Sequence, residues 1–337
     1  MEEQQDQLFK GEFMEEKLRM YFLNSGYYVT RGIKYSFEGN EITDIDLFLY
    51  GRVSILSRER TNVDIKNKKS PKAFERILWA KGLQHLLEFD SCVVATMDRK
   101  ESVKKYANKH KIILFDGSFL QKLTYELTER ISEEELLHSF SGIVSYKEFS
   151  NQNWRMLYEN SKSRLLNELD FSGFNTNLIY LNYFLCKIFD PQKRAAALKA
   201  VYIFISHNLL TLDYILKDIA FLEPDTRKNA LGNGFKYGNL GQDGIKRTID
   251  MAIRISGSKY SASQINKVVD EIEVDVLKEY FSRQEVIKNV FRWAVAFEKL
   301  AFSKVMTHPN TLESELKGVI ALYLDYFKIN RVKFFEQ

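Results

Sequence analysis

Two short segments in which apolar and charged side chains alternate decide most of what this chain can become. Asp44-Ile45-Asp46-Leu47-Phe48-Leu49 and Asn62-Val63-Asp64-Ile65-Lys66 repeat with the period of a strand, because successive strand side chains point to opposite faces. Asp44 and Asp46 therefore share one face, with Ile45, Leu47 and Leu49 opposite. Asp64 and Lys66 likewise emerge together, opposite Val63 and Ile65. Two acidic strand positions with a lysine two residues beyond the second can make a divalent-metal site with a cation beside it. That is the minimum set for metal-assisted hydrolysis of a phosphodiester.

The flanking sequence places these strands in an α/β unit. Helical spacing over residues 7–24 puts Leu8, Leu18 and Phe22 around Glu15, which should sit at the edge of the apolar face with Glu12 and Glu16 on the wetter side. Extended segments follow at 27–31, 41–50 and 53–66, with Gly51-Arg52 as the expected turn between the last two. Ser70-Pro71 offers an N-cap and a first-turn proline for a helix over 72–89, on which Lys72, Arg76 and Trp79 share a side. A strand at 92–97, a helix at 100–109, a strand at 111–115 and a short helix at 118–123 complete the alternation. The pattern predicts an α/β sandwich with a mixed sheet.

From about Thr124 helical periodicity takes over, as in Val286, Val290, Trp293, Phe297, Leu300 and Phe302, and runs through Lys328. Two domains are expected, 1–124 and an all-α 125–337, a division that 337 residues accommodate. Asp190-Pro191 marks a helix start. Residues 232–244 hold five glycines near Lys236 and Arg247. They lack Gly-Lys-Ser/Thr and follow a helix, so neither a P-loop nor a dinucleotide fingerprint fits, and a helix–helix connection is expected. The apolar stretch from Val201 to Leu222 is interrupted by His207, Asn208, Asp213, Lys217 and Asp218, which suits a core helix and not a membrane span.

Charge is unevenly distributed. Between Arg52 and Lys81 nine basic residues stand against three acidic ones, a net +6, which leaves −2 for the rest of a chain whose total is +4. Positive charge thus gathers around the candidate metal site, as a polyanionic substrate would require. A solvated lysine-rich loop is the competing structural reading. Cys92 and Cys186 are isolated, without zinc-type spacing, and suit a reducing cytosol. Glu2, Glu3 and Asp6 do not make a signal peptide. The five histidines show no HxxxH or HExxH spacing. His85, on the helix after the D-x-K, could take an edge role.

The segment from about residue 8 to 124 resembles the PD-(D/E)XK nuclease superfamily, the restriction-endonuclease-like fold, with Mrr-type and Holliday-resolvase-type branches closest in pattern. The residues that carry the resemblance are Glu15 on the first helix, Asp46 ahead of an apolar run, and Asp64-Ile65-Lys66 as D-x-K in place of the commoner E-x-K. The resemblance implies a Mg²⁺- or Mn²⁺-dependent endonuclease acting on DNA in preference to RNA. Asp46 and Asp64 would be the metal ligands, joined by the Ile65 backbone carbonyl and by Glu15 through water, with Asp44 as the alternative to Asp46. Lys66 would orient the attacking water and stabilise the phosphorane, leaving 5′-phosphate ends. Lys68, Lys69, Lys72 and Arg76 are the expected backbone-binding cations. The helical domain is left for substrate recognition, regulation, or contact with a second copy or a partner protein. Cytoplasmic defence against foreign DNA is the implied setting. A nucleic-acid-binding module that kept the fold without the chemistry, and a helical interaction scaffold, are the alternatives.

Overall fold

Alternating strand residues sort onto two faces of one sheet in the computed structural model, which describes residues 10–66, 72–124, 129–141, 149, 152–256 and 261–337. The chain divides into two compact units, Met1–Leu136 and Leu137–Gln337. In the first, α1 (Lys10–Asn24) leads into β1 (Tyr28–Phe37), β2 (Asn40–Arg52) and β3 (Arg58–Lys66). Then come α2 (Ala73–Leu86), β4 (Ser91–Thr96), α3 (Glu101–Lys109), β5 (Ile113–Phe115) and α4 (Gly117–Lys122). The sheet runs β1-β2-β3-β4-β5. Its first three strands are antiparallel, and β4 and β5 add in parallel.

Val29, Leu47, Leu49, Val63, Ile65, Val93 and Ala95 face Met14, Leu18 and Phe22 of α1. Cys92 and Val94 face the other way, onto Ala73, Ile77 and Ala80 of α2 and Val103 and Ala107 of α3. This is the expected α/β sandwich with a mixed sheet. Two of its turns differ from expectation. Residues 32–37 extend β1 well past residue 31, because Glu38 and Gly39, both at positive φ, close a two-residue hairpin between the paired Phe37 and Asn40. Gly51-Arg52 is no turn. Both residues lie in β2, opposite Glu59 and Arg58. The turn is made beyond them, where the Ser54 hydroxyl accepts from the amides of Leu56 and Ser57 and Arg58 donates to the carbonyls of Ile55 and Ser57 at 3.1 Å.

The first unit also reaches past residue 124. Arg19 of α1 pairs with Glu133 at 3.0 Å, and Arg31 of β1 pairs with Glu134 at 2.7 Å. These long-range ion pairs bind residues 133–134 to the sandwich, within the first unit. Both acids open α5 (Glu133–Ser141).

The second unit is helical: α6 (Trp154–Asn167), α7 (Phe171–Lys187), α8 (Arg194–Ile219), α9 (Pro224–Tyr237) and α10 (Gly241–Ser256) are followed by α11 (Ala262–Asp270), α12 (Asp275–Phe281), α13 (Gln284–Ala301), α14 (Ser314–Tyr326) and α15 (Arg331–Phe335). Among the described residues α8 is the one helix long and apolar enough to cross a membrane, and it is mostly buried inside this unit. Its polar residues are hydrogen-bonded there: Ser206 donates to the Ala294 carbonyl at 2.6 Å, and His207 Nδ1 lies 2.7 Å from the Ser161 hydroxyl. The helix after Asp190-Pro191 begins only at Arg194. Residues 232–244 are mainly helical, not a loop. Gly232 and Gly234 lie inside α9, and a turn remains only where Gly238 and Gly241 take positive φ. Gly234 is there for closeness, since a Cβ would stand 2.3 Å from the Phe171 ring.

Candidate active site

The β2–β3 ladder ends at the pair Leu47 and Val63. Beyond it β2 stays with β1, Asp44 opposite Lys34, while β3 stays with β4, Asp64 opposite Val94 and Lys66 opposite Thr96. One more step of ladder would set Asp46 across from Asp64, and like charges directly opposite each other destabilise a pair of strands. The strands part instead. A backbone donor freed at such a fork needs another acceptor. The Ile65 N–H donates to Asp46 Oδ2 at 2.6 Å, so the carboxylate stands in for the missing ladder bond.

Burial raises the Asp46 carboxyl to a pKa of about 6. The Ile65 N–H pulls it down, Glu15 pushes it up, Lys66 pulls it down and Asp44 pushes it up, in falling order of weight. Asp64 is 4% exposed, on the face that α2 covers. Arg76 Nε donates to its Oδ2 at 2.8 Å, and a terminal guanidinium nitrogen pairs with its Oδ1. The Arg76 guanidinium lies 6.0 Å from the centre of the Trp79 ring. Lys66 is half-buried and Asp44 exposed. Parity along the two strands thus brings Asp46, Asp64 and Lys66 to the α2 face of the fork.

Glu15 is not brought to that face. It projects from α1 on the other side of the sheet and accepts from Arg31 Nε at 2.7 Å, though its charge still reaches Asp46. The expectation for Glu16 is overturned, because it is fully buried. It accepts from Arg31 at 3.0 Å and from the Glu133 amide at 3.2 Å, and it lies 3.4 Å from Arg19. Burial alone would lower the Arg31 pKa, but the carboxylates of Glu16, Glu15 and Glu134 outweigh it and raise it. The sequence holds a signal for this network: Arg31 has the parity of Val29 and so must point at α1.

Lys72 is exposed and paired with Glu75 at 3.0 Å. Lys68, Lys69 and the Ser70-Pro71 cap lie outside the described residues. His85 lines a separate cavity with Lys81, Gln84, Glu88 and Phe89. The Ser161–His207 contact is enclosed in the helical core, both residues at most 1% exposed, so it offers a substrate no access.

Among the described residues no group of three or more His, Cys, Asp or Glu could by itself hold a metal. Asp46 and Asp64 do not make an all-protein cage. They fit an ion such as magnesium, which takes one or two carboxylates and keeps several waters. The donor set is hard oxygen, and Asp46 is a dehydrated carboxyl that a cation would help to ionise. No family model, curated protein or solved structure matches this chain.

Proposed function

We propose that the N-terminal unit is a metal-dependent nuclease of the PD-(D/E)XK type that hydrolyses phosphodiester bonds in DNA. The observation that carries this reading is the fork itself, where Asp46, Asp64 and Lys66 meet on one face at the point where two antiparallel strands separate. The element order α1-β1-β2-β3-α2-β4 and the +6 charge between Arg52 and Lys81 support it.

Asp46 and Asp64, with the Ile65 backbone carbonyl, would hold Mg²⁺ or Mn²⁺. When bound, the ion supplies Lewis acidity and a water of lowered pKa. Lys66 would orient the attacking water and stabilise charge developing on the phosphoryl oxygens. Glu15, held by Arg31, acts on Asp46 through its charge. Lys72, together with Lys68 and Lys69, tracks the phosphate backbone. The helical unit selects substrate or meets a second copy or a partner protein, and the setting is cytoplasmic defence against foreign DNA.

The test is to incubate the purified chain with supercoiled plasmid, linear duplex, single strands and RNA, in Mg²⁺, Mn²⁺ or chelator. Cleavage of DNA that needs the metal is expected, and cleavage that persists in excess chelator would refute the reading. The Asp64–Arg76 ion pair favours one second reading, a nucleic-acid-binding module without chemistry. Retention of duplex with no cleavage in either metal would select it.

A further inference from the structure

The Arg76 guanidinium closes on one of the carboxylates that would ligate the metal. It engages both oxygens of Asp64, and Asp46 and Asp44 act on it as well. Asp64 is thus its contact partner, and Asp46 and Asp44 reach it through their charge. Asp64 is buried, and a buried carboxylate calls for a counter-charge. With both its oxygens engaged by the guanidinium, a divalent ion at Asp64 competes with Arg76 for the carboxylate and is repelled by its charge. Arg76 is itself about a quarter exposed, so it has a way out, along the exposed Trp79 one turn further on α2. A guanidinium presents the same fork of donors to a carboxylate and to a phosphate.

We propose that Arg76 is the built-in counter-cation of this site: it holds Asp64 while metal is absent, yields it to a divalent ion, and then turns its guanidinium to the substrate phosphate. The inference rests on the metal-dependent reading above. It makes Arg76 a positioning residue whose two partners are exclusive, so metal binding and phosphate binding become coupled.

Two measurements test it. Calorimetric titration of Mn²⁺ into the full chain should show Arg76→Gln binding the ion about 5- to 150-fold more tightly than the wild type, the usual range for two coupled ligands, with Arg76→Lys between them. In chelator, Asp64→Asn should free the guanidinium and bind duplex more tightly. Its log–log salt slope should be steeper by about 0.9, one phosphate contact, and the gain should vanish in Asp64→Asn/Arg76→Gln. Equal or weaker Mn²⁺ binding by Arg76→Gln overturns the inference and leaves the nuclease reading standing. Mn²⁺ binding by neither protein overturns that reading and this inference with it. Should Arg76→Gln not fold, an Asp64→Asn chain whose duplex affinity in chelator equals the wild type's overturns the inference alone.

Discussion

Asp46→Asn should stabilise the N-terminal unit at neutral pH while abolishing the proposed cleavage. The Asp46 carboxyl stands at about 6 instead of 3.8, mainly through burial. At about 1.36 kcal/mol per pH unit, its ionised form is about 3 kcal/mol less favourable in the fold than in the unfolded chain. Between pH 4 and 6 the folded chain keeps a proton that the unfolded chain has released. Stability must therefore fall as pH rises through that window and level off above it. Asparagine carries no charge, and its Oδ1 still accepts from the Ile65 N–H. The variant should thus match the wild type below about pH 4 and exceed it by about 2–3 kcal/mol above pH 7. Urea unfolding of the full chain in chelator, with amide exchange in β2 and β3 reporting on this unit, measures the gap. A gap that does not change with pH, or a wild type that is the more stable at pH 7.5, would refute the reasoning. Added Mn²⁺ should shrink or reverse the ranking, because the wild type alone gains full binding energy.

Other outcomes follow from the same contacts. Lys66→Ala should leave stability nearly unchanged and slow cleavage by about 10²–10³-fold, the range for one lost electrostatic contact; a plasmid assay with full activity would remove Lys66 from the site. Arg31→Met removes the shared cation of Glu15, Glu16 and Glu134, leaving Glu16 with Arg19 and the Glu133 amide, and should cost about 3–5 kcal/mol in urea unfolding, so a loss below about 1 kcal/mol would show that the carboxylates find other partners. Gly234→Ala drives a methyl into the Phe171 ring and should cost about 1–3 kcal/mol, whereas Gly232→Ala meets only the flexible Lys278 side chain and should be near neutral. Thermal melts of the two glycine variants separate these cases.

The parts of the fold legible in sequence were those set by local periodicity. Period-two alternation placed Asp46, Asp64 and Lys66 on one face because a strand leaves a side chain only two directions. The same reasoning located β4 and α3. What escaped it depends on partners far along the chain. Glu16 reads as a wet helix residue until Arg31 and the Glu133 amide, more than a hundred residues on, are known to meet it. Arg76 reads as a free cation until α2 folds back over β3. Gly51 reads as a turn because glycine is a strong breaker, yet the Ser54 hydroxyl beyond it supplies better turn hydrogen bonds. The five glycines at 232–244 mislead in the opposite sense. Gly234 is small for its approach to Phe171, and helix runs through both Gly232 and Gly234.

Three aspartates and a glutamate near one fork raise the question of how the fold tolerates them. It does so with cations on both faces of the sheet. On the α1 face Arg31 neutralises Glu15 and Glu16. On the α2 face Arg76 neutralises Asp64. Asp46 lies between them and, among the described residues, has no ion pair of its own. The Ile65 N–H and the more distant charges of Lys66 and Arg76 favour its ionised form, and they do not offset its burial. A strand ladder continued by two steps, to Ile45 opposite Ile65, would have satisfied Ile65 without any carboxylate. The sequence puts acids at the step between instead, and the sheet opens there. The remaining deficit of positive charge is therefore local to Asp46. An incoming divalent ion would gain most at that carboxyl, and the pH series on Asp46→Asn measures the size of the deficit without relying on any assay of cleavage.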